Sequence, residues 1–209
     1  GPLKRLTAEM LRDQALAASG LLVPKIGGPS VKPYQPAGLW SSAGASGGDY
    51  VPDKGEGLYR RSLYSFWKST MPPPTMLIFD AAQRDVCIAR RQTTNTPLQA
   101  LVLLNDPQFV EAARLLAERV MLESNDDATR ITRAFRRMTA RQPTERERRV
   151  FIELYEAQLD AMRRNPSDVE ALLKVGDRPP SNKVDHTELA AMTIVCSTIM
   201  NHDAAIVAR

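Results

Sequence analysis

The chain has little of what metal sites and covalent cofactors need, since its 209 residues include only two cysteines and two histidines. Cys87 and Cys196 lie far apart, and neither belongs to a CxxC pair or a CxxCH haem-attachment motif. No covalent haem is therefore expected in this segment. In an oxidising compartment the two thiols would close one disulfide, contributing about 4–5 kcal/mol through loop entropy. Alternatively they are two separately buried thiols, and the sequence leaves both readings open. His186 and His202 would stand about 160° apart on a shared helix, so they cannot clasp one ion, and solvent-facing or capping roles are expected. There is no GxxxxGK[ST], HExxH, EF-hand or GxSxG pattern, and Gly27-Gly28-Pro29-Ser30 reads as a turn. These absences argue against nucleotide-dependent and zinc-dependent chemistry.

Long apolar runs are also missing. The densest stretch, 98–104, is broken by Gln99 and falls far short of the roughly 18 residues that a membrane-spanning helix needs. Charge of one sign is scarce: 28 basic residues against 24 acidic ones leave a net charge of +4, too small and too interleaved to make nucleic acid the default partner. The chain opens on Gly-Pro, which resembles a scar left by tag removal, with no basic-then-apolar signal segment after it.

Present in quantity are a hydrophobic fraction of 43%, enough for one or two packed units, and an uneven distribution of glycine and proline. Nine of the 11 glycines lie between Gly20 and Gly57, and eight of the 15 prolines between Pro24 and Pro74. Within this quarter, residues 41–49 are small and polar, like a mobile loop tip. Residues 24–40 carry Ile26, Val31, Tyr34, Leu39 and Trp40, which predicts a loop lying ordered on the body of the domain. Residues 58–70 place Tyr59, Leu63, Phe66 and Thr70 at a spacing that favours a helix, and Met71-Pro72-Pro73-Pro74 should follow as an extended spacer.

Helix signals dominate elsewhere. Thr7 reads as an N-cap, with Leu6 and Leu11 as its staple and Gly20 as the stop. Thr96-Pro97-Leu98-Gln99 is a capping box with proline at the first helical position, and Asn105-Asp106-Pro107 ends one helix and caps the next. Asp126 or Asp127, Thr144 with Glu147, and Asp185 with Glu188 start three more, while 166–184 is partly loop. The reading is mainly all-α: a single helical domain over 3–209 of about six or seven helices, with an irregular loop at 24–57 packed on it and a helical body at 96–202.

Residues 130–149 hold eight arginines against two glutamates. Arg130, Arg133 and Arg137 fall opposite Ile131, Ala134, Phe135 and Met138, as on the solvated side of an amphipathic helix or a patch that docks an acidic partner. The densest functional stretch is 59–106, where Arg60, Arg61, Asp80, Arg84, Asp85, Arg90, Arg91, Thr94, Asn95, Gln99, Asn105 and Asp106 accompany Tyr59, Tyr64, Phe66 and Trp67. With Tyr34 and Gln35 from the loop, guanidinium forks beside acids, amides and rings suit a surface for sugars, anionic groups or a docking protein. The same groups also suit structural clamps that hold an irregular loop against helices. Asp80 is the best catalytic candidate, because the apolar run 76–79 would desolvate it and arginines lie nearby in sequence.

The segments GGPSVKPYQPAGLW, LYRRSLYSFWKSTMPPPTMLIFDAAQRDVC, RRQTTNTPLQALVLLNDPQFVEAARLLAERV and ELAAMTIVCSTIMNHD resemble the planctomycete-specific C-terminal domain of unknown function found in large, secreted, cytochrome-like proteins. The likeness runs from about residue 5 to 206 and includes Gly27, Gly28, Pro29, Tyr34, Gln35, Pro36, Arg60, Arg61, Phe66, Pro72, Pro73, Pro74, Phe79, Asp80, Arg84, Arg91, Asn95, Thr96, Pro97, Gln99, Asn105 and Asp106. Two positions depart from it: Ala140 where the family has glycine, and Met192 where tryptophan is common. The resemblance implies a periplasmic or secreted location, companion domains of the same parent chain as partners, and haem only in such a companion. It carries no catalytic residue over to this chain. Two functions follow as expectations: an accessory module that docks its neighbours or holds a substrate for them, or a carbohydrate-acting or carbohydrate-binding domain built around Asp80, with Trp67 or Tyr34 as stacking platforms.

Overall fold

Helix α1, Ala8–Ser19, begins where the Thr7 hydroxyl accepts the Met10 N–H and ends where Gly20 turns left-handed at φ 83°. In this computed structural model, residues 4–42, 49–84 and 87–208 are described. The terminal Gly1-Pro2, residues 43–48 of the small-residue tip and Asp85 lie outside the described residues. Leu11, Ala15, Leu16 and Ala18 form the buried face of α1.

The chain then leaves on a long excursion. The outgoing leg pairs Val23 and Val31, as single parallel bridges, with Arg60 and Ser65 of the returning leg. A four-residue helix α2, Leu39–Ser42, buries Trp40 at the far end. The loop is thus ordered through 24–40, as its apolar content predicts. The returning leg is not a helix. It consists of two 3-10 turns, Gly55–Tyr59 and Ser62–Tyr64, separated by extended Arg60 and Arg61. Local periodicity lost to distant partners: the carbonyls of Tyr59 and Tyr64 accept from Val23 and Val31, and those of Leu58 and Arg60 accept from buried Arg12. Pro74 opens helix α3, Pro74–Ile78, so only Pro72 and Pro73 serve as spacer before it.

The body follows as α4 (Pro97–Asn105), α5 (Pro107–Glu123), α6 (Asp127–Thr139), α7 (Glu145–Arg164), α8 (Pro166–Leu173), α9 (His186–Met200) and α10 (Asp203–Ile206). Both capping boxes, at Thr96 and Thr144, form reciprocally, and Asp106, Asp126 and Asp185 cap α5, α6 and α9. His202 caps α10 and packs edge-on to Phe135 and Phe151. The centre is α9, which packs on α5 and α7 and also meets α4, α6 and α8, while α1 covers the other side of α5. Leu189, Ala190, Ala191, Met192, Val195, Cys196 and Ile199 are fully buried, as expected of a helix that is apolar all round. A two-stranded antiparallel ribbon, β1 (Lys4–Arg5) with β2 (Val207–Ala208), joins the two ends. The fold is mainly α, with seven helices of eight residues or more among the described residues.

Arg130 departs from the predicted solvated face. It is buried, with its Nε donating to the Ser124 carbonyl and Nη1 to Asp127, because the turn before α6 folds back over it.

Candidate functional site

Of the two arginines of the excursion, Arg60 faces inward to carbonyls. Arg60 is buried, stacks on the Tyr64 ring at 3.8 Å, and donates to the carbonyls of Lys25, Gly27 and Pro29, so it fastens the outgoing leg to the returning one. Arg12, on α1, fastens the returning leg to the body. Its Nε donates to Gln108 Oε1 at 2.6 Å, and its two terminal nitrogens to the carbonyls of Arg60 and Leu58 at 2.7 and 2.6 Å. Burial lowers the Arg12 guanidinium to about 10, against the opposing pull of Asp13 and Asp106.

Asp80 stands just beyond α3 in the left-handed region, φ 61°. Among the described residues no arginine holds it. One carboxylate oxygen accepts the Thr94 N–H at 2.7 Å, both accept the Thr94 hydroxyl, and buried Gln99 bridges to Asp80, Thr94 and the Ile78 carbonyl. The three residues form a clasp between the end of α3 and the start of α4. The apolar run 76–79 does not surround Asp80: Met76 and Phe79 turn into the core, leaving the carboxylate half-buried at the rim.

The remaining predicted site residues separate into two surfaces. Arg61, Arg84 and Arg91 line an open groove along the start of α1, where Arg61 pairs with Asp13 at 3.2 Å and Arg91 with Glu9 at 2.9 Å. Arg84 stacks on Trp67 at 4.5 Å, and the Trp67 indole N–H donates to the Gln83 carbonyl, so that ring is partly covered. Arg90 and Asn95 are exposed and line neither groove. Tyr34, Gln35, Asn105 and Asp106 meet elsewhere, on a second groove of about 530 Å³. Its walls are the turn 34–37, Thr75 and Ile78 of α3, and Leu101, Val102 and Asn105 of α4. Asp106 accepts from the Thr75 hydroxyl at 2.8 Å and the Gln108 N–H at 2.9 Å, and burial nevertheless raises its carboxyl above the usual range.

Two features went unforeseen. The first is the outer face of α4, where Leu98, Leu101 and Leu104 are 52%, 56% and 42% exposed beside that groove. The signal was in PLQALVLLN, which is apolar around its whole circumference and so cannot hide every side of a single short helix. The second is a fully buried acid, Glu111. Its Oε1 accepts from the Tyr59 hydroxyl and the Asp177 and Arg178 N–H groups, all at 2.8 Å, and its Oε2 accepts from the Tyr34 hydroxyl. Burial, with the charge of Glu111, pushes both phenols well above their ordinary range. The cluster anchors loop 176–178 and the excursion to α5.

Cys196 is sealed in the core and Cys87 is exposed, with both thiols free, so neither the disulfide nor a pair of buried thiols is what the structure holds. Helix α9 carries Cys196 inward, while Cys87 stands on the surface beyond Asp80. Among the described residues there is no group of three or more potential metal ligands, and no helix long and apolar enough to cross a membrane.

The family model described as PSD1, protein of unknown function (DUF1553), matches residues 1–155. No curated protein and no solved structure matches.

Proposed function

This chain belongs to the PSD1 family of unknown function (DUF1553), and from that premise we propose that it is a non-catalytic accessory module of a secreted, cytochrome-type redox protein. It docks a companion domain of its own parent chain on the groove beside α4. The observation that carries this reading is the row Leu98, Leu101 and Leu104, exposed next to a mainly apolar groove. A contiguous apolar surface of this kind marks an interaction site more often than a solvated face. Asn105 and Asp106 at the rim would give direction to the contact.

The finer terms rest on the resemblance to planctomycete cytochrome-like proteins: a periplasmic or secreted setting, and haem held by the companion. A carbohydrate-acting role for Asp80 has less support, because its carboxylate is engaged by Thr94 and Gln99 in the clasp that joins the end of α3 to the start of α4. The test is calorimetric titration of this chain with the separately produced cytochrome-type region of its parent. Binding is expected, and Leu101→Asp should weaken it at least tenfold while leaving the melting temperature unchanged, since Leu101 is exposed. Absence of binding by the unmodified chain, or equal binding by the variant, overturns the proposal.

A further inference from the structure

Where α5 and α6 end, four arginines gather around one acid. Glu123, the last residue of α5, lies 3.6 Å from Arg119, 3.4 Å from Arg133 and 2.9 Å from Arg137. Arg136 lines the same groove and forms no ion pair among the described residues. Hydrogen bonding from Arg137 lowers the Glu123 carboxyl, which therefore stays ionised and is shared among three cations. One negative charge against the three arginines that line the groove, with Arg119 beside Glu123, leaves it basic in a chain whose overall charge is only +4. The groove is open, about 400 Å³, and Ala140 forms its end.

We propose that this groove binds an acidic segment of a partner polypeptide, with glutamate or aspartate side chains paired to Arg133, Arg136 and Arg137. The helix dipole explains a cation or two in the last turn of α6 but not the addition of Arg119 from α5. Three arginines sharing one carboxylate, Arg119 and Arg133 exposed and Arg137 half-buried, are under-neutralised, and surface ion pairs exchange partners readily. Two other polyanions fit less well. Single-stranded nucleic acid and polysaccharide are held partly by stacking on rings, and no aromatic side chain lines the groove. Duplex nucleic acid calls for a stripe of phosphate contacts, whereas these cations converge on one point. A peptide carboxylate needs only the planar fork of guanidinium, which the groove offers several times over.

The test titrates the whole chain with poly-L-glutamate, a sulfated polysaccharide and a DNA duplex at matched charge concentration. Poly-L-glutamate should bind most tightly, with affinity falling as salt rises. Arg136→Glu with Arg137→Glu should weaken it at least tenfold, whereas Arg163→Glu with Arg164→Glu, the same charge change at the end of α7, should change it less than twofold. Arg136→Ala alone, which breaks no ion pair, should still weaken binding and keep the urea midpoint of the parent. Equal loss in both double variants would reduce the effect to net charge and overturn the proposal, as would tighter binding of DNA or polysaccharide in this groove. Leu101→Asp should leave poly-L-glutamate binding intact, so this inference and the α4 docking surface fail or stand separately.

Discussion

Glu111 shows how much depends on a single approach between backbone and side chain. Its carboxylate reaches the N–H groups of Asp177 and Arg178 only because residue 176 has no side chain. A Cβ on Gly176, where φ is +100°, would be driven into the Glu111 carboxyl carbon, well inside van der Waals contact. Gly176→Ala should therefore cost about 2–4 kcal/mol in urea unfolding, the sum of a disfavoured backbone conformation and a disrupted buried carboxylate. Gly27→Ala is the comparison. Its φ of +79° carries the same kind of backbone strain, but nothing lies within 4 Å of the added carbon, so only about 1–2 kcal/mol is expected. Equal losses in the two variants would show that the contact with Glu111 contributes nothing. The pair Arg12 and Arg60 follows the same logic in positive charge: each guanidinium is a multiple donor that satisfies carbonyls which neither helix nor sheet takes up.

At the scale of the element, helix α7 carries an acid-sensitive start. Glu147 accepts from the Thr144 N–H and is gripped by both terminal nitrogens of Arg141, and the Arg141 hydrogen bonds are the main cause that lowers its carboxyl to about 2. A carboxyl depressed in the folded chain adds stability above its unfolded value, near 4.5, and that stability is lost as pH falls toward 2. Glu147→Gln keeps the capping geometry, since glutamine serves at that position too, but removes the titration. Melting temperature measured from pH 5 to pH 2 should fall more steeply in the parent chain than in the variant, and parallel curves would rule out the Arg141 contact as the cause. Such caps are why the helical body was legible in sequence. Thr7, Thr96, Asp106, Asp126, Thr144 and Asp185 all announce helices locally, within three residues of where each helix begins. Residues 58–70 were not legible in this way. Their backbone partners are Val23, Val31 and Arg12, dozens of positions away, and no local period encodes such a partner. The candidate site divides on the same principle. Residue types told correctly that Arg60 and Asp80 are bonded, but not that Asp80 answers to Thr94 and Gln99 in place of arginine, nor that the remaining residues sort onto separate grooves.

Across the whole molecule, α9 makes the helices interdependent, because α4, α5, α6, α7 and α8 all pack on it and α1 packs in turn on α5 and α6. Exposing α9 therefore means separating most of the body, and Cys196, fully buried on it, becomes a reporter of global opening. Burial pushes the Cys196 thiol far above its ordinary value, so in the folded chain it offers neither access nor thiolate. Cys87 is exposed and free. A disulfide-exchange reagent should titrate one thiol per chain in native buffer and two in denaturant. The rate for the second thiol in intermediate urea should follow the population unfolded as measured by circular dichroism, with the same dependence on urea concentration. Rapid labelling of two thiols in native buffer would mean that α9 opens without the rest, and no labelling at all would mean that the two sulfurs are joined. A single reactive thiol would show that the body stays closed around α9 while the α4 leucines and the Arg133–Arg137 groove are exposed.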